Sequence, residues 1–292
     1  RQRSFRLAKD PLLRVCVFRL AERRHAAVVS FHHILMDGWC QWVLHDEILE
    51  LYEALRAGRA ANLPAVPAFR DYIQWLGKQD AKDAKRFWQE HLQGYERLAG
   101  VPRLSAGATP GAGYQPAVHG FEASAEVGDT LSRLAAQQGV TLDKVIEALW
   151  GLVLCRYNDA DDAVFGAVVS GRPPEIPGIE RMLGLFINTV PVRIRLEPGL
   201  RFNEVLARVQ RDFALSAPHQ YLPLAEIQAV SPLPHGLLDH ILVFESYPVA
   251  DEAPTADVGG IRIAPEADVY GHTNYDFGLV VAPGERLQIR LK

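Results

Sequence analysis

The sequence predicts a mixed α/β (α+β) fold, and three observations carry that expectation. Strand-like runs and helix-like runs alternate from one end to the other. At 48 % hydrophobic and 23 % charged, the composition is that of a core-forming globular chain. No internal repeat or low-complexity tract points to a fibrous or solenoid architecture.

Taken in order, residues 12–20 and 26–31 are rich in Val and Phe and predict two strands, separated by a polar Ala21-Glu22-Arg23-Arg24 turn. Residues 41–55 predict a helix. Trp42, Leu44, Ile48, Leu49, Tyr52 and Leu55 fall near a 3.6-residue period, and Gly58 follows as a stop signal. Residues 69–76 and 82–92 predict two more helices, with Trp75, Phe87 and Trp88 as candidate core. Residues 94–119 are rich in Gly, Pro, Ser and Ala and lack periodicity, which predicts a linker. Helices are expected over 127–138 and, opened by Thr141, over 142–157; strands over 163–170 and 190–196. A helix over 202–216, a strand over 239–247 and further strands within 261–281 complete the reading. The domain division expected from this is residues 1–95, a linker at 96–118, and residues 119–292. Both ends fall in strand-like runs, so the sequence is expected to be part of a longer chain.

A formal net charge of -4 argues against nucleic acid as a partner. Cys16, Cys40 and Cys155 are odd in number and far apart, which fits neither a disulfide framework nor a metal-ligand set, so the expected compartment is the cytoplasm. No apolar run approaches membrane-spanning length, and no membrane partner is expected.

The chemistry concentrates in His32-His33-Ile34-Leu35-Met36-Asp37-Gly38-Trp39. If the strand continues through the pair, His32 and His33 point to opposite faces, one inward as structure and the other toward a cavity. An imidazole titrates near neutrality and suits proton transfer. Asp37 falls where the strand gives way to a turn, with Gly38 expected to relax the backbone. An isolated His-His pair is more often structural than catalytic, and no nearby Cys or carboxylate completes a metal site. The residues around this pair alter that balance.

Residues 31–39 match the HHxxxDG pattern of the chloramphenicol-acetyltransferase-like acyltransferases, and the version ending Asp37-Gly38-Trp39 resembles the condensation domains of nonribosomal peptide synthetases. Further blocks agree in order and spacing. Phe69-Arg70-Asp71-Tyr72-Ile73-Gln74-Trp75 resembles the aromatic helix that follows in that family. Ser170-Gly171-Arg172-Pro173 and Gly184-Leu185-Phe186-Ile187-Asn188-Thr189-Val190-Pro191-Val192-Arg193 resemble its next block. His219-Gln220-Tyr221-Leu222-Pro223 and Phe244-Glu245-Ser246-Tyr247-Pro248 resemble later ones, although His219 and Gln220 also read as a plain helix end.

The resemblance implies two V-arranged acyltransferase-like lobes with mixed sheets and flanking helices. It implies substrates carried on the phosphopantetheine arms of upstream and downstream peptidyl carrier domains, with an adenylation domain in the same polypeptide and no bound cofactor or metal. The acceptor's amine attacks the donor's thioester to give an amide. His33 is then expected as the catalytic imidazole and the Gly38 amide as oxyanion donor. His32, Asp37 and Arg172 are expected as structural residues, Arg172 reaching Asp37 as a two-pronged ion pair from the other lobe. Trp39 and Asn188 are expected to line the substrate tunnel. An epimerisation domain, a silent recruitment module and a free-standing coenzyme A-dependent acyltransferase are the alternatives; both His33 and Asp37, which silent modules tend to lose, are present.

Overall fold

The computed structural model describes residues 4–102, 117–245, 256–258, 261–263 and 275–292. Most of the expected linker, the end of the 239–247 strand with Ser246-Tyr247-Pro248, and much of 261–281 lie outside the described residues. The chain divides into two compact units, and the division does not follow chain order. One comprises Arg1–Lys78, Arg172–Ile187 and Asp257–Arg262; the other comprises Gln79–Gly171, Asn188–Ala256 and Ile263–Lys292.

In the first unit, β1 (Leu13–Ala21) and β2 (Arg24–Phe31) form an antiparallel hairpin with Leu13 opposite Phe31 and Arg19 opposite His25. Helix α1 (Gly38–Ala57) starts three residues earlier than the periodicity indicates. Its stop is the expected one: Gly58 takes φ 64°, a left-handed conformation that lets its amide reach back to the Ala54 and Leu55 carbonyls. Helix α2 (Phe69–Leu76) follows. Its Tyr72 packs with Ile179, Met182 and Phe186 as a small core, which places residues 172–187 in this unit.

The second unit contains α3 (Ala81–Leu92), β3 (His119–Glu122), α4 (Ala125–Gln138), α5 (Leu142–Tyr157), β4 (Asp162–Val169), β5 (Asn188–Arg195), α6 (Phe202–Ser216), α7 (Leu224–Val230) and β6 (Ile241–Phe244). Strands β7 (Ala256–Val258) and β8 (Ile261–Ile263), most of whose residues are grouped with the first unit, pair with each other, while β9 (Gly278–Ala282) and β10 (Gln288–Leu291) join the main sheet of the second. That six-stranded mixed sheet runs β3-β10-β9-β6-β4-β5, parallel at β9/β6 and β6/β4 and antiparallel elsewhere. Helices cover both faces. Phe165 of β4 joins a core with Leu154 of α5 and Leu206 of α6, while its neighbour Val164 joins a core with Trp88 and Leu92 of α3 and Ile227 of α7. A strand buried on both faces has no polar side to show, which explains the nearly continuous apolar run of β4. Gly151 of α5 lets the helix press on the sheet: a Cβ there would lie 2.1 Å from Ile194 Cγ1. The Arg193 guanidinium grips Asp162 with two nitrogens, at 2.9 and 2.6 Å, and donates to the carbonyls of His91 and Gln93, fastening the end of α3 to the sheet.

Helices α2, α5 and α6 have the bounds the periodicity predicts. Strand β3 and helix α7 were not anticipated. The first is four residues long and exposed throughout, and the second is one seven-residue stretch, too short for either to present a readable period.

Within α5, Lys144 and Glu147 form a buried pair at 2.7 Å, and Asp143 reaches Lys144 at 3.0 Å. Burial dominates over the ammonium's attraction and raises Glu147 to about pKa 7. A carboxyl whose folded pKa exceeds its unfolded value stabilises the fold while protonated, and that contribution is lost as pH rises. The melting temperature is therefore expected to fall between about pH 4.5 and pH 7. Glu147→Gln, which stays neutral, should flatten this slope in thermal melts across that range; an unchanged slope would remove Glu147 as its source.

Candidate active site

Strand β2 ends at Phe31, so the two histidines do not lie on an extended strand as the sequence suggested. Residues 32–35 turn instead. The cause is local: the Leu35 amide donates to the His32 carbonyl at 3.0 Å and the Ile34 amide donates to His32 Nδ1 at 3.1 Å. The His32 amide in turn donates to the Leu12 carbonyl at 2.9 Å, and its ring meets Phe5 edge-on. An accepting Nδ1 leaves the proton of a neutral ring on Nε2, so His32 is fixed in both tautomer and orientation by the turn it closes. His33, next along, is exposed, and its ring has no hydrogen-bond partner among the described residues.

The turn runs into buried Met36 and Asp37. Asp37 is the N-cap of α1, extended at φ -96° and ψ -179°, with Oδ1 accepting from the Cys40 amide at 3.3 Å. Gly38 is therefore the first helical residue, with ordinary backbone angles rather than a left-handed relaxation of the turn. The amides of Gly38 and Trp39 open the helix and have no intrahelical acceptor, so the positive end of α1 follows directly on the histidine turn.

Arg172 reaches Asp37 with one nitrogen only, Nη2 to Oδ1 at 3.2 Å. The second prong is absent because Oδ2 already accepts from the Phe186 amide at 3.1 Å, while Arg172 Nη1 donates to the Met182 carbonyl at 3.0 Å and to that of Ile179. Since residues 172–187 belong to the same compact unit as Asp37, the pair lies within that unit. Both side chains are nearly sealed from solvent, at 0 % and 6 % exposure. The guanidinium lies 4.0 Å over the Phe186 ring, and Phe186 packs on Tyr72 at 4.7 Å. Burial raises the Tyr72 phenol above its ordinary range, so it remains a neutral part of this apolar wall.

Trp39 is partly exposed and donates its indole N–H to the Glu180 carbonyl at 2.7 Å. Asn188 belongs to the other compact unit. Its side-chain nitrogen Nδ2 donates to the carbonyls of Gln220 and Leu222, both at 2.7 Å, a clip that holds the turn after α6.

Two residues that the sequence reading named but did not place at this centre belong to it. Cys40 is wholly buried, its sulfur among Asp37, Arg172 and Gly184. Gly184 offers its carbonyl to the Asp37 amide, and a Cβ there would lie 2.2 Å from the Phe69 ring. Cys40 occupies the third helical position, a signal that required placing the helix start at Gly38.

Among the described residues, no three His, Cys, Asp or Glu side chains are grouped to hold a metal, and no helix is long and apolar enough to cross a membrane. The arrangement offers an accessible imidazole, a braced turn beneath it and a helix N-terminus beside it in sequence. That combination suits proton transfer coupled to charge development on an oxygen.

The family described as Condensation domain matches residues 1–292. Gramicidin S synthase 2 of Brevibacillus brevis is 39 % identical over 290 residues, spanning 98 % of this chain and 6 % of that protein. The chain thus covers a small part of the synthetase it matches. Among solved structures, the X-domain from teicoplanin biosynthesis aligns with TM-score 0.79 at 22 % identity, covering 99 % of this chain and 68 % of that one. The first condensation domain of the CDA synthetase aligns with TM-score 0.72 at 20 % identity, covering 96 % and 62 %. At those identities the structures speak for the fold, which is the acyltransferase-like one expected. A full-length family match, joined to relatives that are peptide synthetases, places the chain among the condensation domains of nonribosomal peptide synthetases.

Proposed function

We propose that this chain forms the amide bond between an acyl or peptidyl thioester donor and the α-amine of an aminoacyl acceptor. Each substrate arrives on the phosphopantetheine arm of a peptidyl carrier domain, one upstream and one downstream, with an adenylation domain in the same polypeptide. The observation that supports this reading best is His33: an exposed imidazole on a turn that His32 closes and the Asp37–Arg172 pair anchors.

The acceptor nitrogen attacks the thioester carbon, the carbon–sulfur bond breaks, and one amine proton ends on the departing thiol. His33 is suited to take that proton from the nitrogen and return it to the sulfur. The Gly38 amide, at the start of α1, is suited to the developing oxyanion. Trp39 and Asn188 are assigned to the substrate tunnel. The three cysteines are free, which fits work in the reducing cytoplasm.

The test uses the complete module with both carriers loaded, the products read by mass spectrometry. The expected result is donor and acceptor joined by an amide on the downstream carrier. A stereochemically inverted donor with no amide would move the assignment to epimerisation, and absence of any reaction would overturn the reading.

A further inference from the structure

We infer that Cys40 is a positioning residue for the reaction, its thiol locking the first turn of α1 to the Gly184 peptide and to the Asp37–Arg172 pair. The inference rests on the amide-forming reading above.

The sulfur has five polar neighbours at bonding distance: the Gly184 carbonyl at 3.2 Å, Asp37 Oδ1 at 3.3 Å, Arg172 Nη2 at 3.3 Å, the Gly184 amide at 3.4 Å and, farthest, the Met182 carbonyl at 3.9 Å. A thiol has one hydrogen to give and can accept from donors. Arg172 and the Gly184 amide supply N–H groups, so the sulfur accepts from those two. Its own hydrogen has three oxygens to choose from, of which the Met182 carbonyl is the farthest and already receives Arg172 Nη1, leaving two. Asp37 Oδ1 already receives the Cys40 amide and the guanidinium, whereas among the described residues the Gly184 carbonyl otherwise receives only the Asp37 amide. Gly184 is the less crowded acceptor. Burial also holds the thiol in its protonated form, consistent with a donor rather than a thiolate beside a carboxylate.

Cys40 thereby fills an unusual version of the helix cap. In the common capping box the third helical residue, a Glu or Gln, reaches back to the N-cap amide. Here the Asp37 amide goes to the Gly184 carbonyl, and the third residue follows it there. The Gly184 peptide therefore receives both ends of the first turn, and it cannot recede because Phe69 fills the space over its Cα. The opening amides of α1 take their direction from this turn, which is why a fully buried thiol matters to a reaction it does not touch.

Two measurements test the inference in the complete domain. Single-turnover amide formation is compared for the parent, Cys40→Ala and Cys40→Ser. Alanine should slow the step roughly tenfold, in keeping with buried polar groups left unpaired, and serine, which keeps a donor and acceptor, should return it to within about threefold of the parent. An alanine variant as fast as the parent, or a serine variant no better than alanine, overturns the role. The second measurement needs no catalysis. In a protein with Cys16→Ala, Cys155→Ala and any cysteine outside residues 1–292 also replaced, the remaining S–H stretch is that of Cys40. It should lie at lower frequency than the Cys155 band of a Cys16→Ala, Cys40→Ser protein, because Cys155 sits among apolar side chains. Coincident bands would show that the Cys40 hydrogen is not donated and sink the inference even if alanine unfolds the domain. A parent that forms no amide would instead fail the functional reading and leave the infrared result standing.

Discussion

Asp37→Ala in the complete domain is expected to reduce folding stability by about 3–5 kcal/mol, the cost of breaking a buried ion pair from one side. The carboxylate is involved in three contacts at once. It caps α1 through Cys40, receives the Phe186 amide and neutralises Arg172. Its loss strands a guanidinium with 6 % exposure, whose remaining acceptors are all uncharged: the backbone carbonyls of Ile179 and Met182 and the Cys40 sulfur. Arg172→Ala should cost a similar amount by the converse route, leaving a buried carboxylate with only neutral donors. Because each single change removes the same contact, the double variant should lose less than the sum of the two. Asp37→Asn separates cap from charge: it keeps an oxygen for the Cys40 amide, so its loss should fall short of alanine's. Thermal melts of the parent, the single variants and the double variant decide the matter. Full additivity, or a melting temperature indifferent to Asp37→Ala, would show the pair to be energetically idle. The loss is large against a domain's net stability of roughly 5–15 kcal/mol. Activity of these variants must therefore be read below their melting temperatures.

How much of this was legible in the sequence depended on how local its cause was. Helices α2, α5 and α6 carry their own apolar period, and the sequence predicts their bounds. The start of α1 does not follow from its own residues alone. Asp37 caps it, but what holds Asp37 in the capping position is the Phe186 amide and Arg172, both more than a hundred residues away. The strand expected to run through the histidines stops because the His32 ring accepts from the Ile34 amide, a choice between two backbone conformations that residue types leave open. Asp37 and Arg172 were recognisable as partners from their motifs. The one-pronged geometry and the grouping of residues 172–187 with α1 were not, since both follow from how Gly184 and Phe186 pack against α2. Cys40 shows the same limit: without the Gly184 peptide beside it, a cysteine in a helix reads as a small apolar side chain.

His33→Ala should slow single-turnover amide formation by about 10²–10⁴-fold, the usual contribution of a positioned proton-transfer group, while leaving the melting temperature close to that of the parent. The two halves of that expectation have separate grounds. Stability should hold because the ring is exposed and bonded to nothing among the described residues, so its removal empties no core and strands no partner. Rate should fall because the neighbouring histidine cannot take over: its Nδ1 is occupied by the Ile34 amide and its orientation is fixed by the turn. His32→Ala should therefore give the opposite pattern. It frees a backbone amide, loosens the closure of residues 32–35 and lowers the melting temperature, with the loss of rate following from a displaced His33. His32→Asn, which can offer an oxygen to the Ile34 amide, should recover part of both. The discriminating quantity is the ratio of rate loss to stability loss across the three variants. If His33→Ala and His32→Ala lower rate and melting temperature in the same proportion, His33 is a structural residue and proton transfer belongs to another group. A His33→Ala protein that melts like the parent and retains its rate would remove the imidazole from the chemistry altogether, leaving catalysis to the positioning of two tethered substrates.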